Sequence, residues 1–144
     1  MIELFAPAKV TLNLAVTGVR DDGYHLIHSE MVTVDFGDDL RLTWGDGLRF
    51  TPSWNIPTGA DNLISRALDL TGRRADVHVT KRIPPGAGLG GGSADAGAIL
   101  RWAGGVSDND AASLGADVAF CQRGGRAMVT GVGDIVTPLA FIPQ

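Results

Sequence analysis

The chain has 144 residues, 44% of them hydrophobic and 19% charged, which fits one globular domain with a proper core. A formal net charge of −4 gives no basic footprint for nucleic acid, and no apolar run reaches membrane-spanning length. The single cysteine, Cys121, excludes an internal disulfide, and Met1-Ile2-Glu3 lacks the basic start of a signal peptide, so a cytoplasmic location is expected.

Residues 2–5 read as a short strand broken by Pro7, and residues 10–16 as a half-buried strand that alternates apolar and small polar side chains. Between them stands Lys9, which with Lys81 makes up the chain's entire lysine content. Residues 18–24 form a polar loop with Asp21-Asp22-Gly23 as its turn. Residues 25–36 predict a strand, and residues 40–44 and 48–50 a hairpin around Gly45-Asp46-Gly47. After a loop over 54–60, Asp61 is the expected cap of a helix whose Leu63, Ile64, Ala67 and Leu68 form an apolar stripe, with Gly72 as its stop. Residues 75–83 alternate again and lead into a glycine-rich loop. The helix after that loop stops at Gly104-Gly105, residues 109–114 suggest a short helix, and 126–131 with 135–139 a terminal strand pair. Strands followed by mixed strands and helices predict an α+β domain rather than alternating βαβ units. Trp44, Trp54 and Trp102 are expected in core or rim packing. His28 and His78 have no acidic or cysteine partners in sequence, so neither is read as a metal ligand.

The glycine-rich loop is Pro84-Pro85-Gly86-Ala87-Gly88-Leu89-Gly90-Gly91-Gly92-Ser93-Ala94, with five glycines in seven positions. Glycines there offer backbone rather than packing, and a helix opening directly after them presents free N–H groups to an anion. Phosphate binding is the chemistry this predicts. Gly92 stands where a Walker A loop needs lysine, no acid-terminated strand completes a dinucleotide fingerprint, and no H-R-D or D-F-G follows. Ser93 has two readings that stay open: the helix N-cap, or a hydroxyl placed on a phosphate or on Mg²⁺.

The restrictive string Pro-x-Gly-x-Gly-Leu-Gly-Gly-Gly-Ser-x-Asp resembles the nucleotide loop of the GHMP kinases, the superfamily of galactokinase, homoserine kinase and mevalonate kinase. Four further blocks, Ala6-Pro7-Ala8-Lys9, Asp22-Gly23-Tyr24-His25, Leu114-Gly115-Ala116-Asp117-Val118 and Gly131-Val132-Gly133-Asp134, resemble one family within it, the 4-diphosphocytidyl-2-C-methyl-D-erythritol kinases. Lys81-Arg82-Ile83-Pro84 before the loop belongs to the same likeness. The resemblance implies a ribosomal protein S5 domain 2-like fold, a mostly antiparallel sheet with helices on one side. It implies ATP and Mg²⁺, with residues 84–94 holding the nucleotide. Asp117 would accept the proton of a substrate hydroxyl, and Lys9 would sit beside it. Tyr24 would stack on a cytosine and His25 would bond its edge. Thr11 stands where the family commonly has asparagine, with Asn13 two residues further, and both are expected on the strand face of Lys9.

Residues 1–144 are expected to cover an N-terminal GHMP domain only, with the family's C-terminal domain absent. The activity the resemblance implies is ATP-dependent phosphorylation of the 2-hydroxyl of 4-diphosphocytidyl-2-C-methyl-D-erythritol; the alternatives are another small alcohol as substrate, or nucleotide binding without turnover. The apolar segment 135–142 is expected either to fold into the domain's own core or to form a face open to self-association.

Overall fold

The computed structural model describes residues 1–140. Six strands and four helices follow in the order β1 (Ile2–Val19), β2 (His25–Thr43), β3 (Leu48–Thr51), α1 (Leu63–Thr71), β4 (Asp76–Thr80), α2 (Gly91–Trp102), α3 (Asp108–Ala112), α4 (Val118–Arg123), β5 (Arg126–Gly131) and β6 (Ile135–Leu139). The six strands lie in one sheet of order β3-β4-β2-β5-β6, with β1 along the length of β2. Every pairing is antiparallel except β3 with β4.

Proline does not break the first strand, contrary to the sequence expectation. Among the described strands β1 pairs with β2 alone, and Pro7 is accommodated at an irregularity, where the register steps from Pro7↔Gly37 to Lys9↔Thr33. Such a bulge re-aims side chains. Ala8 and Lys9 are accordingly both buried, although they are neighbours in a strand. A second irregularity between Thr11 and Asn13 interrupts the alternation again. Asn13 therefore does not follow the face of Lys9; its carboxamide oxygen accepts the Glu30 N–H.

The expected hairpin over 40–50 is also not formed. Residues 40–43 belong to β2, and β4 lies between β2 and β3. The reason is that β4 offers Val77 and Val79, both fully buried, to a sheet centre that β3 could fill only with Phe50. Local alternation alone cannot tell two strands that pair directly from two with a third strand between them.

Asn62, not Asp61, caps α1: its side-chain oxygen accepts the Ile64 N–H at 2.8 Å, and Gly72 ends the helix as expected. α2 runs against β1 and β2 with α1 and α4 beside it. Ala94 through Leu100 are all buried, so this helix is enclosed on every side. Ile99, Leu100 and Phe120 form its apolar contacts, each worth about 1.5–3 kcal/mol by burial.

Of the tryptophans, Trp102 packs under the Arg73 guanidinium, 4.1 Å from its ring centre. Trp44 is fully exposed at the tip after β2, so the packing expectation fails there. Segment 135–142 divides: Val136 is buried, Ile135 is half exposed, and residues 141 and 142 lie outside the described residues. No helix among the described residues is long and apolar enough to cross a membrane.

Candidate functional site

The glycine loop leaves β4 and rises over β1. Gly86 and Gly88 have nothing within 4 Å of a would-be Cβ, so their backbone faces open space. Gly90 is different. It has φ 68° and lies against the Lys9 stem, where a Cβ would stand 2.9 Å from Cγ. The backbone is tied down at the same place by Lys9 N–H donating to Leu89 O at 3.0 Å.

α2 starts from Gly90 as N-cap, with no side-chain cap bond. Ser93 is therefore not the cap; it is the third residue of the helix, because the backbone turns into helical geometry at Gly91. The first loop-to-helix bond is Ala94 N–H to Gly90 O, which leaves the N–H groups of Gly91, Gly92 and Ser93 without helical acceptors. With the positive end of the helix dipole they form an anion cradle. That arrangement fits a nucleotide phosphate, and it leaves the Ser93 hydroxyl free for the second of its two roles.

Lys9 and Asp117, distant in sequence, meet below this cradle. Lys9 Nζ lies 3.2 Å from Asp117 Oδ2, with the lysine side chain 8% exposed and the aspartate 31%. The same Nζ donates to Thr11 Oγ1 at 2.9 Å. Asp117 occupies the N-cap position of α4 but makes no capping bond. Its carboxylate is thus spent on Lys9 and on whatever enters the site. Cys121, one turn along α4, stays a thiol, since burial pushes it up to about 12.

Tyr24 is exposed at the β1–β2 turn, whose shape comes from an Arg20–Asp22 ion pair and the Tyr24 N–H bonded to Asp22. It lines a cavity of about 520 Å³ with Gly115 and Ala116, the residues that lead into Asp117. His25 opens β2, paired with Val19, and does not line that cavity. A smaller cavity of about 160 Å³ lies on the other side of the loop, lined by Phe50, Ile56, Leu63, Pro85 and Gly92. Its walls are mostly apolar, with Asn62, Lys81 and Asp95 also lining it.

Sequence reasoning missed the parts that hold the site in place. Arg66 on α1 donates to Leu114 O at 3.1 Å and Ser113 O at 3.3 Å, fixing the approach to Asp117. Arg101 on α2 donates to Cys121 O at 2.6 Å and so anchors α4. Asp38, Lys81 and Asp95 form a buried cluster under the glycine loop. The sequence points to Lys81 by the rarity of lysine and by its block before the loop, but to neither Asp38 nor Asp95 as its partner. Among the described residues no group of three or more His, Cys, Asp or Glu is placed to hold a metal ion.

Comparison with known proteins follows this geometry. The model of the GHMP kinases N terminal domain matches residues 55–139. The chain is 44% identical over 148 residues to a 4-diphosphocytidyl-2-C-methyl-D-erythritol kinase of Dinoroseobacter shibae, covering 96% of this chain and 52% of that protein. It is 42% identical to the enzyme of the same name from Ruegeria pomeroyi, covering 99% and 55%. A crystal structure of a 4-(cytidine 5'-diphospho)-2C-methyl-D-erythritol kinase superposes with a TM-score of 0.73 at 39% identity, covering 98% of this chain and 56% of that one. The chain thus spans about half the length of the curated relatives it matches. The matched residues include the glycine cradle that opens α2, and the chain belongs to the GHMP kinases.

Proposed function

We propose that residues 1–144 are the nucleotide-binding, N-terminal domain of a kinase that phosphorylates the 2-hydroxyl of 4-diphosphocytidyl-2-C-methyl-D-erythritol, a step of non-mevalonate isoprenoid precursor synthesis. The observation that carries the reading is the Lys9–Asp117 pair set directly beneath the anion cradle. When bound, Mg-ATP supplies the phosphoryl group and neutralises part of its charge. The N–H groups of Gly91, Gly92 and Ser93 would hold phosphate oxygens, and the Ser93 hydroxyl would serve a phosphate oxygen or the metal.

Asp117 takes the proton of the attacking hydroxyl on its free carboxylate oxygen. Lys9, 3.2 Å from that carboxylate, offsets charge on the developing alkoxide. The oxygen–phosphorus bond forms as the bond to the departing diphosphate breaks, so ADP leaves and the proton rests on Asp117. Thr11 orients the Lys9 ammonium through its hydroxyl, a role the asparagine common at that place would fill with a carboxamide.

Release of ADP with this substrate, measured against mevalonate, homoserine and galactose, tests the assignment. Preference for any of the latter three rejects the substrate but leaves a small-alcohol kinase. Binding of Mg-ATP without turnover supports a nucleotide-binding domain instead. Tyr24→Ala is expected to raise KM for the cytidyl substrate about 10- to 100-fold with a smaller change in kcat, the loss of one stacked base. His25 is proposed to bond the cytosine edge, and His25→Ala is the companion variant. A second, C-terminal domain is proposed to complete the pocket. The exposed Ile135 side of β6 is proposed to meet that domain or a second copy. Sedimentation velocity over a concentration series checks self-association: a monomer throughout removes the second-copy alternative.

A further inference from the structure

Asp38 on β2, Lys81 just beyond β4 and Asp95 on α2 share a site that neither the phosphate cradle nor the Lys9–Asp117 pair includes. Lys81 Nζ lies 2.6 Å from Asp38 Oδ2 and 3.2 Å from Asp95 Oδ2, and all three side chains are at most 3% exposed. Asp38 Oδ1 accepts the N–H groups of Arg82 at 2.7 Å and Ile83 at 2.9 Å. Asp95 Oδ1 is buried with no partner at all. One ammonium therefore faces two carboxyl groups in a dry site. Ionising both would leave a buried, uncompensated negative charge, which costs more than retaining a proton.

The surroundings decide which carboxyl keeps it. Burial pushes Asp38 up, but hydrogen bonds from Asp95, from the Ile83 N–H, from Lys81 and from the Arg82 N–H together hold it below the usual carboxylate range. Asp95 is driven well above that range, first by burial and then by the carboxyl of Asp38. Other groups nearby leave this division alone. Cys121 on α4 is a neutral thiol, and Lys9 on β1 is occupied by Asp117. α1 brings the uncharged Asn62 to the same cavity, while Arg66 is turned to the Leu114 and Ser113 carbonyls. On α2 itself Arg101 points to α4, and His78 of β4 bonds to Thr51 Oγ1.

The cluster lies against the start of the helix that opens the cradle: a Cβ at Gly91 would stand 3.1 Å from Lys81 Nζ. We propose that Asp95 is a positioning residue, held as a neutral carboxylic acid, that ties the start of α2 to Asp38 and Lys81 and so fixes the cradle N–H groups for phosphate. The role rests on the nucleotide reading of that cradle. Asp38 and Lys81 link two strands, and Asp95 extends the linkage to the helix that would move if the cradle loosened.

Two variants test it, Asp95→Asn, which keeps a donor and an acceptor of the same shape, and Asp95→Leu, which keeps neither. The first readout is unfolding by denaturant between about pH 5 and about pH 9. A proton held by the native state and lost by the unfolded chain gives stability that is full below the unfolded value and declines as pH rises through the raised native one. The wild-type protein is expected to show that decline, and Asp95→Asn to lack it. The second readout is calorimetric titration with Mg-ATP. Asp95→Asn is expected to bind within about threefold of wild type, and Asp95→Leu about tenfold or more weakly, as for the loss of a buried hydrogen-bonded group.

Equal pH slopes in wild type and Asp95→Asn would show an ionised Asp95 and overturn the proposal. So would an Asp95→Asn affinity as poor as that of Asp95→Leu. If Asp95→Leu does not fold, the wild-type and Asp95→Asn comparison still decides. Failure of the wild-type protein to bind Mg-ATP overturns the cradle reading and the positioning role with it, while the slopes report the proton separately.

Discussion

Replacing Asp117 by Asn is expected to lower turnover by roughly two to four orders of magnitude, the usual size of a general-base contribution. The affinity for Mg-ATP should change little, because the cradle is built from the backbone of residues 90–93 and not from this carboxylate. Lys9→Ala should depress turnover as well. Lys9 and Asp117 touch at 3.2 Å, so the double variant is expected to be little worse than either single one. Losses that simply add would argue that the two residues do not serve one step. Stability is a poor guide to this pair, since Asp117 is about a third exposed and solvent weakens the attraction to within about 1 kcal/mol. Steady-state ADP release and calorimetric affinity, taken on the same samples, are the measurements that count.

The second large effect is expected at a residue that has no side chain of its own, Gly133. This residue has φ 96°, and a Cβ there would stand 2.1 Å from Ala116 O and 2.8 Å from its carbonyl carbon. The obstacle is backbone, so nothing short of moving the β5–β6 turn or residue 116 relieves it. Gly133→Ala is expected to cost at least about 2 kcal/mol from the left-handed conformation and the crowding together. Ala116 immediately precedes Asp117, so a shift of the carboxylate should also reduce turnover about tenfold or more. Gly59→Ala is the matched control, with nothing within 4 Å, and is expected to stay within about 0.5 kcal/mol of wild type. A Gly133→Ala protein as stable and as active as the control would show that the turn does not brace Asp117. The outcome bears on the sequence as well, for it gives Gly131-Val132-Gly133-Asp134 a physical purpose beside the site.

By itself the sequence determined the α+β class and most of the elements, and it is the source of the phosphate chemistry proposed for the loop. Those features are local: glycines that expose backbone N–H groups, a capped stripe over residues 63–71, alternation in the strands. Only the tertiary structure decided where Lys9 points, because a bulge after Pro7 overrides the period of two that the residues suggest. The same holds for the Ser93 reading, since the helix begins three residues earlier than a capping serine would place it. It holds for β3, which pairs with β4 across a helix and not with its neighbour in the chain. The Asp38–Lys81–Asp95 cluster was the least legible of all, joining β2, the exit of β4 and α2 across up to 57 positions. Which carboxyl holds a proton there depends on burial and on the number of N–H groups each oxygen meets, and neither exists until the chain has folded.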